Sequence, residues 1–339
     1  MGKPKLILKS DANKSDVDTW LRTKANHISG TDAGCIMGVN PYKSAFSLYT
    51  EKIDQQNAIK LESNSPNDAA YWGTILEQTV ADEFSKRMGY TLRKKGTLQD
   101  TQCPYRIANI DRDIIAQNAG LECKTASAYN EKLWKNGNIP KHYYYQCLHY
   151  MMVMWCDENG TIDKAVYNPR WYIACLIGGQ KYVQREIKFS QEDAWELARK
   201  ENEFFECLKN RIPPMISGTA SDYKTLTEQV DTDDEEIELD TTVDEQISEL
   251  MKANEAKKSV EERILKLKTS IGANLQNHNC GHTSRYIVKF SAPAMRETVA
   301  CKDLKRKDPD LYKLLAERNW VKKSYGARVL RIKAVNENV

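Results

Sequence analysis

The sequence predicts an α/β (α+β) domain, a central mixed β-sheet flanked by helices, followed by a C-terminal helical and small β extension. Three observations carry that expectation. Helix-like and strand-like periodicities alternate through residues 1–220, an acidic stretch interrupts at 221–242, and residues 243–339 combine a long helical spacing with a basic end. A length of 339 residues fits one large domain plus an appendage, and 41% hydrophobic residues with 17 Tyr and 7 Trp are ample for a core. A mean hydropathy of −0.65 and the absence of any long apolar run exclude a transmembrane helix. Residues 1–9 hold no apolar stretch of signal-peptide length. The nine cysteines are scattered singly with no C-x-x-C pair, which predicts reduced thiols and a cytoplasmic location.

Taken in order, Ser15 or Asp16 caps a short helix around Val17–Lys24, and Thr31 or Asp32 starts a small-residue helix. Ser44–Ile53 is helical, and Gln55–Pro66 is a polar loop. Asn67 or Asp68 then caps a strong helix in which Trp72, Ile75, Leu76, Val80 and Phe84 share a face and Gly89 ends it. Thr91–Leu98 and Tyr105–Ile110 read as strands, followed by a turn at 117–120 and a strand at Leu121–Thr125. Pro140 starts a helix through Trp155. Arg170–Ile177, Gly178-Gly179 and Tyr182–Phe189 form a β-hairpin, and Ser190 caps a helix to Asn210. Pro213-Pro214 and Gly218 mark the exit from this unit. Residues 221–242 read as an acidic linker, since 231–240 carries seven acids and no base. Val243–Leu275 reads as one long helix or a helical hairpin with apolar residues alternately 4 and 3 apart. Asn254 and Lys257 interrupt that seam, which counts against a long coiled coil. Arg285–Phe290 and Val329–Lys333 are candidate strands around a helix at Cys301–Glu317. Residues 281–339 carry fourteen Lys/Arg against six Asp/Glu, either a solvated surface or one that faces phosphate.

The residues that carry chemistry are Asp111, Glu122 and Lys124. Glu122 and Lys124 stand two apart, so on a strand both point to one face, and a hairpin brings them to Asp111. Two carboxylates hold a hard divalent cation through oxygen, and a lysine adds a compact positive charge beside a phosphate. In a chain with 29% charged residues such a spacing also arises by chance on the surface. Asp113 is the alternative to Asp111. On the preceding helix Glu77 shares a stripe with Gly73, Val80 and Phe84 and therefore faces inward, where an acid needs a metal or a lysine; an ordinary helix-face glutamate is the alternative. On the helix after Pro140, Gln146 and Tyr150 at i and i+4, with Tyr143 three before Gln146, can bond a carboxylate, a water or a DNA phosphate. Aromatic core packing is the alternative there. His278-x-Cys280-x-His282 lacks a fourth ligand or the usual pair spacing of a zinc site.

Trp72-Gly73 with Glu77, then Ile110-Asp111, Leu121-Glu122-Cys123-Lys124-Thr125, and Gln146 with Tyr150 resemble, in that order, the motifs of PD-(D/E)XK nucleases. More closely, the chain resembles the YqaJ-like viral recombinase family, phage and prophage nucleases related to lambda exonuclease. The segment 27–33 is similar to that family's I-G-G-S-D-A and the segment 38–44 to its G-x-N-P-Y-x-S, over roughly 15–220. The resemblance implies a PD-(D/E)XK restriction-endonuclease-like core and a metal-dependent exonuclease. Such an enzyme digests one strand of linear double-stranded DNA 5′→3′, leaving a 3′ overhang for a single-strand annealing recombinase. It implies Mg²⁺, with Mn²⁺ as the alternative ion, held by Glu77, Asp111, Glu122 and the Cys123 main-chain carbonyl, with Lys124 assisting the nucleophilic water and Gln146 supporting the site. The family's 5′-phosphate serine falls on Thr31, and its basic partner on Lys24 without a gap or on Arg22 with one; Lys lacks the bidentate fork of Arg. Tyr143 and Tyr150 are further DNA-contact candidates. A ring-shaped homo-oligomer on DNA ends follows by the same analogy; that no membrane is a partner is expected from the hydropathy. The competing readings are a junction, flap or restriction endonuclease on the same core, and a non-catalytic DNA-binding module.

Overall fold

The computed structural model describes residues 3–9, 16–57, 68–163, 167–228, 235–290, 301–318 and 320–321. Ser15, Asn67, residues 231–234 of the acidic run and the candidate strand Val329–Lys333 lie outside the described residues. The chain divides into two compact units, Met1–Leu226 and Thr227–Val339.

The first unit opens with β1 (Lys5–Leu8), α1 (Val17–Asn26), β2 (Ile28–Ser29), α2 (Gly30–Ile36), α3 (Ala45–Gln56) and α4 (Asp68–Met88). It continues through β3 (Leu92–Arg93), β4 (Thr97–Gln99), β5 (Arg106–Asn109), β6 (Arg112–Ile114) and β7 (Ala119–Ala126). Then come α5 (Lys141–Trp155), β8 (Arg170–Ile177), β9 (Lys181–Lys188), α6 (Gln191–Asn210) and α7 (Ala220–Glu228). Five strands form a mixed sheet in the order β3-β6-β7-β8-β9, with β7 and β8 parallel and the other neighbours antiparallel. A second sheet runs β1-β4-β5-β2.

Period-two alternation in β7 and β8 sends side chains to two different helices. On one face Leu121, Tyr172 and Ala174 pack against Val80, Ala81 and Phe84 of α4. On the other, Trp171, Ile173 and Cys175 meet Cys147, Leu148, Met151 and Met152 of α5 and Ala194 and Leu197 of α6. The central sheet is thus sandwiched between helices, the expected fold class. A buried network ties this arrangement to β5: Arg106 donates from Nε to Glu201 Oε2 at 2.9 Å, and His149 on α5 lies 2.6 Å from Glu201 Oε1 and 2.9 Å from the Ile107 carbonyl.

Several local expectations are corrected. Thr91–Leu98 is not one strand. β3 and β4 belong to different sheets, and the chain breaks between them at Gly96, where a Cβ would stand 1.8 Å from the Leu8 carbonyl oxygen. The cap of α2 is Ser29, not Thr31 or Asp32; its backbone N–H and hydroxyl both donate to the Asp32 carboxylate, at 2.8 and 2.9 Å. Trp72 and Ile75 are exposed rather than part of the core; the buried residues of α4 are Val80, Ala81 and Phe84, in its C-terminal half. The first unit extends past 220 to Leu226. Residues expected to be linker form α7, whose Ser221 and Thr225 hydroxyls bond Ser47 Oγ at 2.7 Å each.

In the second unit α8 (Thr242–Asn274) is a single helix, followed by the antiparallel pair β10 (Cys280–His282) and β11 (Ile287–Lys289). The helix expected at 301–317 is two, α9 (Cys301–Lys307) and α10 (Pro309–Glu317), split where Asp308 caps Leu311 N and Pro309 supplies no amide hydrogen. Among the described residues no helix is long and apolar enough to cross a membrane.

Candidate active site

β7 pairs with β6 only as far as Leu121, so on that edge the backbone beyond it has no strand partner. Asp111, in the bend between β5 and β6, takes the place of one: its Oδ2 accepts the Cys123 amide at 2.8 Å. Asp111 is therefore fixed to β7 by the strand's own geometry rather than lying at the end of a paired strand. Leu121 is fully buried beneath α4, and Glu122 and Lys124 turn to the other face of the strand, toward α5.

On that face Glu122 Oε1 accepts from Lys124 Nζ at 2.5 Å and from Gln146 Nε2 at 2.6 Å. Gln146 donates to the Tyr150 hydroxyl as well, at 2.8 Å. The Tyr150 ring lies over Gly30, where a Cβ would come within 2.4 Å of it, so only glycine lets the start of α2 close against α5 here. Tyr150 is buried, and its hydroxyl accepts from Gln146. Tyr143 lies under the lysine, with Lys124 Nζ 4.9 Å from its ring centroid.

Glu122 is 3% exposed, and its second oxygen, Oε2, is buried with no hydrogen-bond partner. Burial pushes the Asp111 carboxyl well above the usual carboxylate range, and the charges of Glu122 and then Glu77 add to the effect. Burial opposes the charge on Lys124, yet Glu122 and Asp111 outweigh it and raise the ammonium above its ordinary value. An orphaned buried carboxylate oxygen beside a second carboxylate whose ionisation it opposes is a site that a hard divalent cation relieves. Among the described residues no three His, Cys, Asp or Glu side chains gather into a ready metal cage. Two carboxylates nevertheless suit Mg²⁺, which keeps several waters.

Glu77 is held apart by Arg112, a residue that the sequence reading passed over. Arg112 Nη1 donates to Glu77 Oε1 at 2.5 Å and to the Asp111 carbonyl at 2.6 Å, and Nη2 donates to Gln78 Oε1 at 3.0 Å. The buried partner that Glu77 needs is thus an arginine from β6. Its only sequence signal is its position immediately after Asp111. Asp113, the alternative to Asp111, is turned away and paired with Arg93 at 2.5 Å and Lys95 at 3.1 Å.

Asp111, Glu122, Lys124, Gln146 and Tyr150 line one cleft of about 170 Å³ together with Lys24 and Thr31. Lys24 stands 4.8 Å from the Trp20 ring centroid, and burial lowers its pKa. Arg22 is not in the cleft; its guanidinium bonds Asp18 at 2.8 Å on the exposed side of α1. His278, Cys280 and His282 belong to the second unit, and Cys280 and His282 are exposed in β10.

A family model described as the YqaJ-like viral recombinase domain matches residues 19–157, a span that contains every residue of this cleft except Leu8. The chain is 30% identical over 299 residues to the protein YqaJ of Bacillus subtilis (strain 168), covering 87% of this chain and 89% of that one. The chain belongs to the YqaJ-like viral recombinase family. A shorter likeness, 28% identity over 72 residues, links it to protein D345L of African swine fever virus (strain Badajoz 1971 Vero-adapted), covering 21% of this chain and 19% of that one. Among solved structures, an alkaline exonuclease, LHK-Exo from Laribacter hongkongensis, is similar at 14% identity. It covers 57% of this chain and 94% of its own, with a TM-score of 0.46.

Proposed function

We propose that this protein is a divalent-metal-dependent nuclease that hydrolyses DNA phosphodiesters in the Asp111–Glu122–Lys124 cleft. The observation that carries the reading is the unpartnered, buried Glu122 Oε2 beside Asp111, with the Lys124 ammonium 2.5 Å from the other oxygen of the same carboxylate. Asp111 and Glu122 would hold the cation, Mg²⁺ or Mn²⁺, with the Cys123 main-chain carbonyl on the same strand and Glu77 at the edge of the set. When bound, such a cation supplies Lewis acidity and positive charge against phosphate oxygens. The chain's own residues do the rest. Gln146, braced by Tyr150, fixes the Glu122 carboxylate; Lys124, seated on Tyr143, stays protonated and stabilises charge that grows on the phosphate.

The finer reading is a 5′→3′ exonuclease that digests one strand of linear duplex and leaves a 3′ overhang for a single-strand annealing recombinase. Lys24 and Thr31 support it, because they place a cation and a hydroxyl in the same cleft as the carboxylates, where a terminal 5′-phosphate would lie beside the scissile bond. Strand-resolved digestion of linear duplexes carrying 5′-phosphate or 5′-hydroxyl ends tests this, with covalently closed circles as the control. Loss of the 5′-terminated strand from phosphorylated ends supports the reading. Cutting of closed circles sinks the exonuclease in favour of an endonuclease.

A further inference from the structure

α8 is a helix of 33 residues in which no residue is buried. Leu250, Val260, Ile264, Leu267 and Ile271 are between 39% and 56% exposed, and a helix that carries such a stripe ordinarily buries it against another element. The stripe runs through positions 243, 247, 250, 254, 257, 260, 264, 267 and 271. Its spacing of 4, 3, 4, 3, 3, 4, 3, 4 reads the same in both directions about Lys257. The interruption at Asn254 and Lys257, which counts against a parallel coiled coil, is the centre of that symmetry.

We propose that α8 pairs antiparallel with the α8 of a second copy of this chain, about a two-fold axis at Lys257. In that register Val243 faces Ile271, Ile247 faces Leu267, Leu250 faces Ile264 and Asn254 faces Val260, so every apolar position meets an apolar position except at the centre. Charge follows the same order. Asp244, Glu245 and Glu249 lie toward one end and Arg263, Lys266 and Lys268 toward the other, so antiparallel pairing sets acids against bases and parallel pairing sets like against like. At the axis two Lys257 side chains approach. Glu261, 3.8 Å from Lys257 on its own helix, stands opposite residue 253 of the second copy, one turn from that copy's Lys257. The contact is isologous and closes on two chains.

Two measurements on the full-length protein test this. Light scattering compares the wild type with the double variant Ile264→Asp/Leu267→Asp, whose changes fall on exposed side chains. A wild-type particle of twice the variant's mass is expected, and equal masses overturn the proposal. A short amine-reactive cross-linker followed by mass spectrometry reads the orientation. Lys252 and Lys266 lie about 21 Å apart along one helix, by a rise of 1.5 Å per residue, but within about one turn of each other across the antiparallel pair. An intermolecular Lys252–Lys266 link that disappears in the variant is expected. A dimer giving Lys252–Lys252 and Lys266–Lys266 links in place of Lys252–Lys266 is parallel and overturns the register.

Discussion

Lys124→Met is the substitution that best separates charge stabilisation from metal retention. Lys124 Nζ lies 2.5 Å from Glu122 Oε1, and its side chain is only 18% exposed, so its charge acts where water screens it little. Methionine keeps the stem over Tyr143 and removes the ammonium alone. Losing one preorganised donor of this kind costs about 2.7–4 kcal/mol in the transition state, a fall of roughly 10²–10³-fold in cleavage rate. Cation binding does not fall with it, because the two carboxylates lose a competitor for Glu122 Oε1. At a hundredfold excess over Kd, a bound cation stabilises by about 2.7 kcal/mol. That corresponds to a rise in thermal midpoint of roughly 5–11 °C for a domain of this size. The assays are nucleotide release from linear duplex and thermal unfolding with and without Mg²⁺. Cleavage by the variant at the wild-type rate refutes the role of Lys124. Simultaneous loss of cleavage and of Mg²⁺-induced stabilisation shows instead that the site has collapsed.

Arg112→Gln strands Glu77, and because Glu77 keeps 30% exposure the cost is about 1–3 kcal/mol, read as a lower thermal midpoint together with a higher Mg²⁺ concentration for half-maximal cleavage. Lys24→Ala lowers cleavage of 5′-phosphorylated ends by roughly tenfold or more and leaves 5′-hydroxyl ends unaffected, whereas Arg22→Ala changes neither; initial rates on the two substrates decide. His149 faces two acceptors, the Glu201 carboxylate and the Ile107 carbonyl, so both ring nitrogens carry hydrogen and the ring is charged. Burial works against that charge, and Glu201 outweighs it, which raises the pKa. A raised folded-state value gives stability that is complete below the ordinary histidine pKa of about 6.5 and is lost as pH rises through the folded value. Wild type therefore loses thermal stability over His149→Gln as pH climbs above neutrality, and parallel pH profiles of the two would contradict this.

Much of the fold and of the cleft was legible because it follows local periodicity. Glu122 and Lys124 alternate with Leu121 and Cys123, and that alternation alone sends the acid and the base to the face opposite the α4 core. Gln146 and Tyr150 meet because one helical turn separates them. What escaped notice depends on contacts between distant segments. Arg112 belongs to Glu77 only because β6 passes under α4, and no spacing encodes that crossing. Thr91–Leu98 has strand composition throughout, but the approach of Leu8 to Gly96 divides it between two sheets. Trp72 and Ile75 have core spacing, yet the residues that α4 buries are Val80, Ala81 and Phe84. Lys24 and Arg22 are equivalent as cations in the sequence, and only the turn of α1 points one into the cleft and the other to Asp18.

The most direct test is nucleotide release from a linear duplex by wild type and by Glu122→Gln, each with Mg²⁺ and with EDTA. Glutamine preserves the shape of the side chain and removes the charge that the cation would meet. Release by wild type that requires Mg²⁺, together with a loss of about 10²-fold or more in the variant, is the predicted result. Release in EDTA, or equal release by the two proteins in Mg²⁺, would contradict metal-dependent hydrolysis in this cleft.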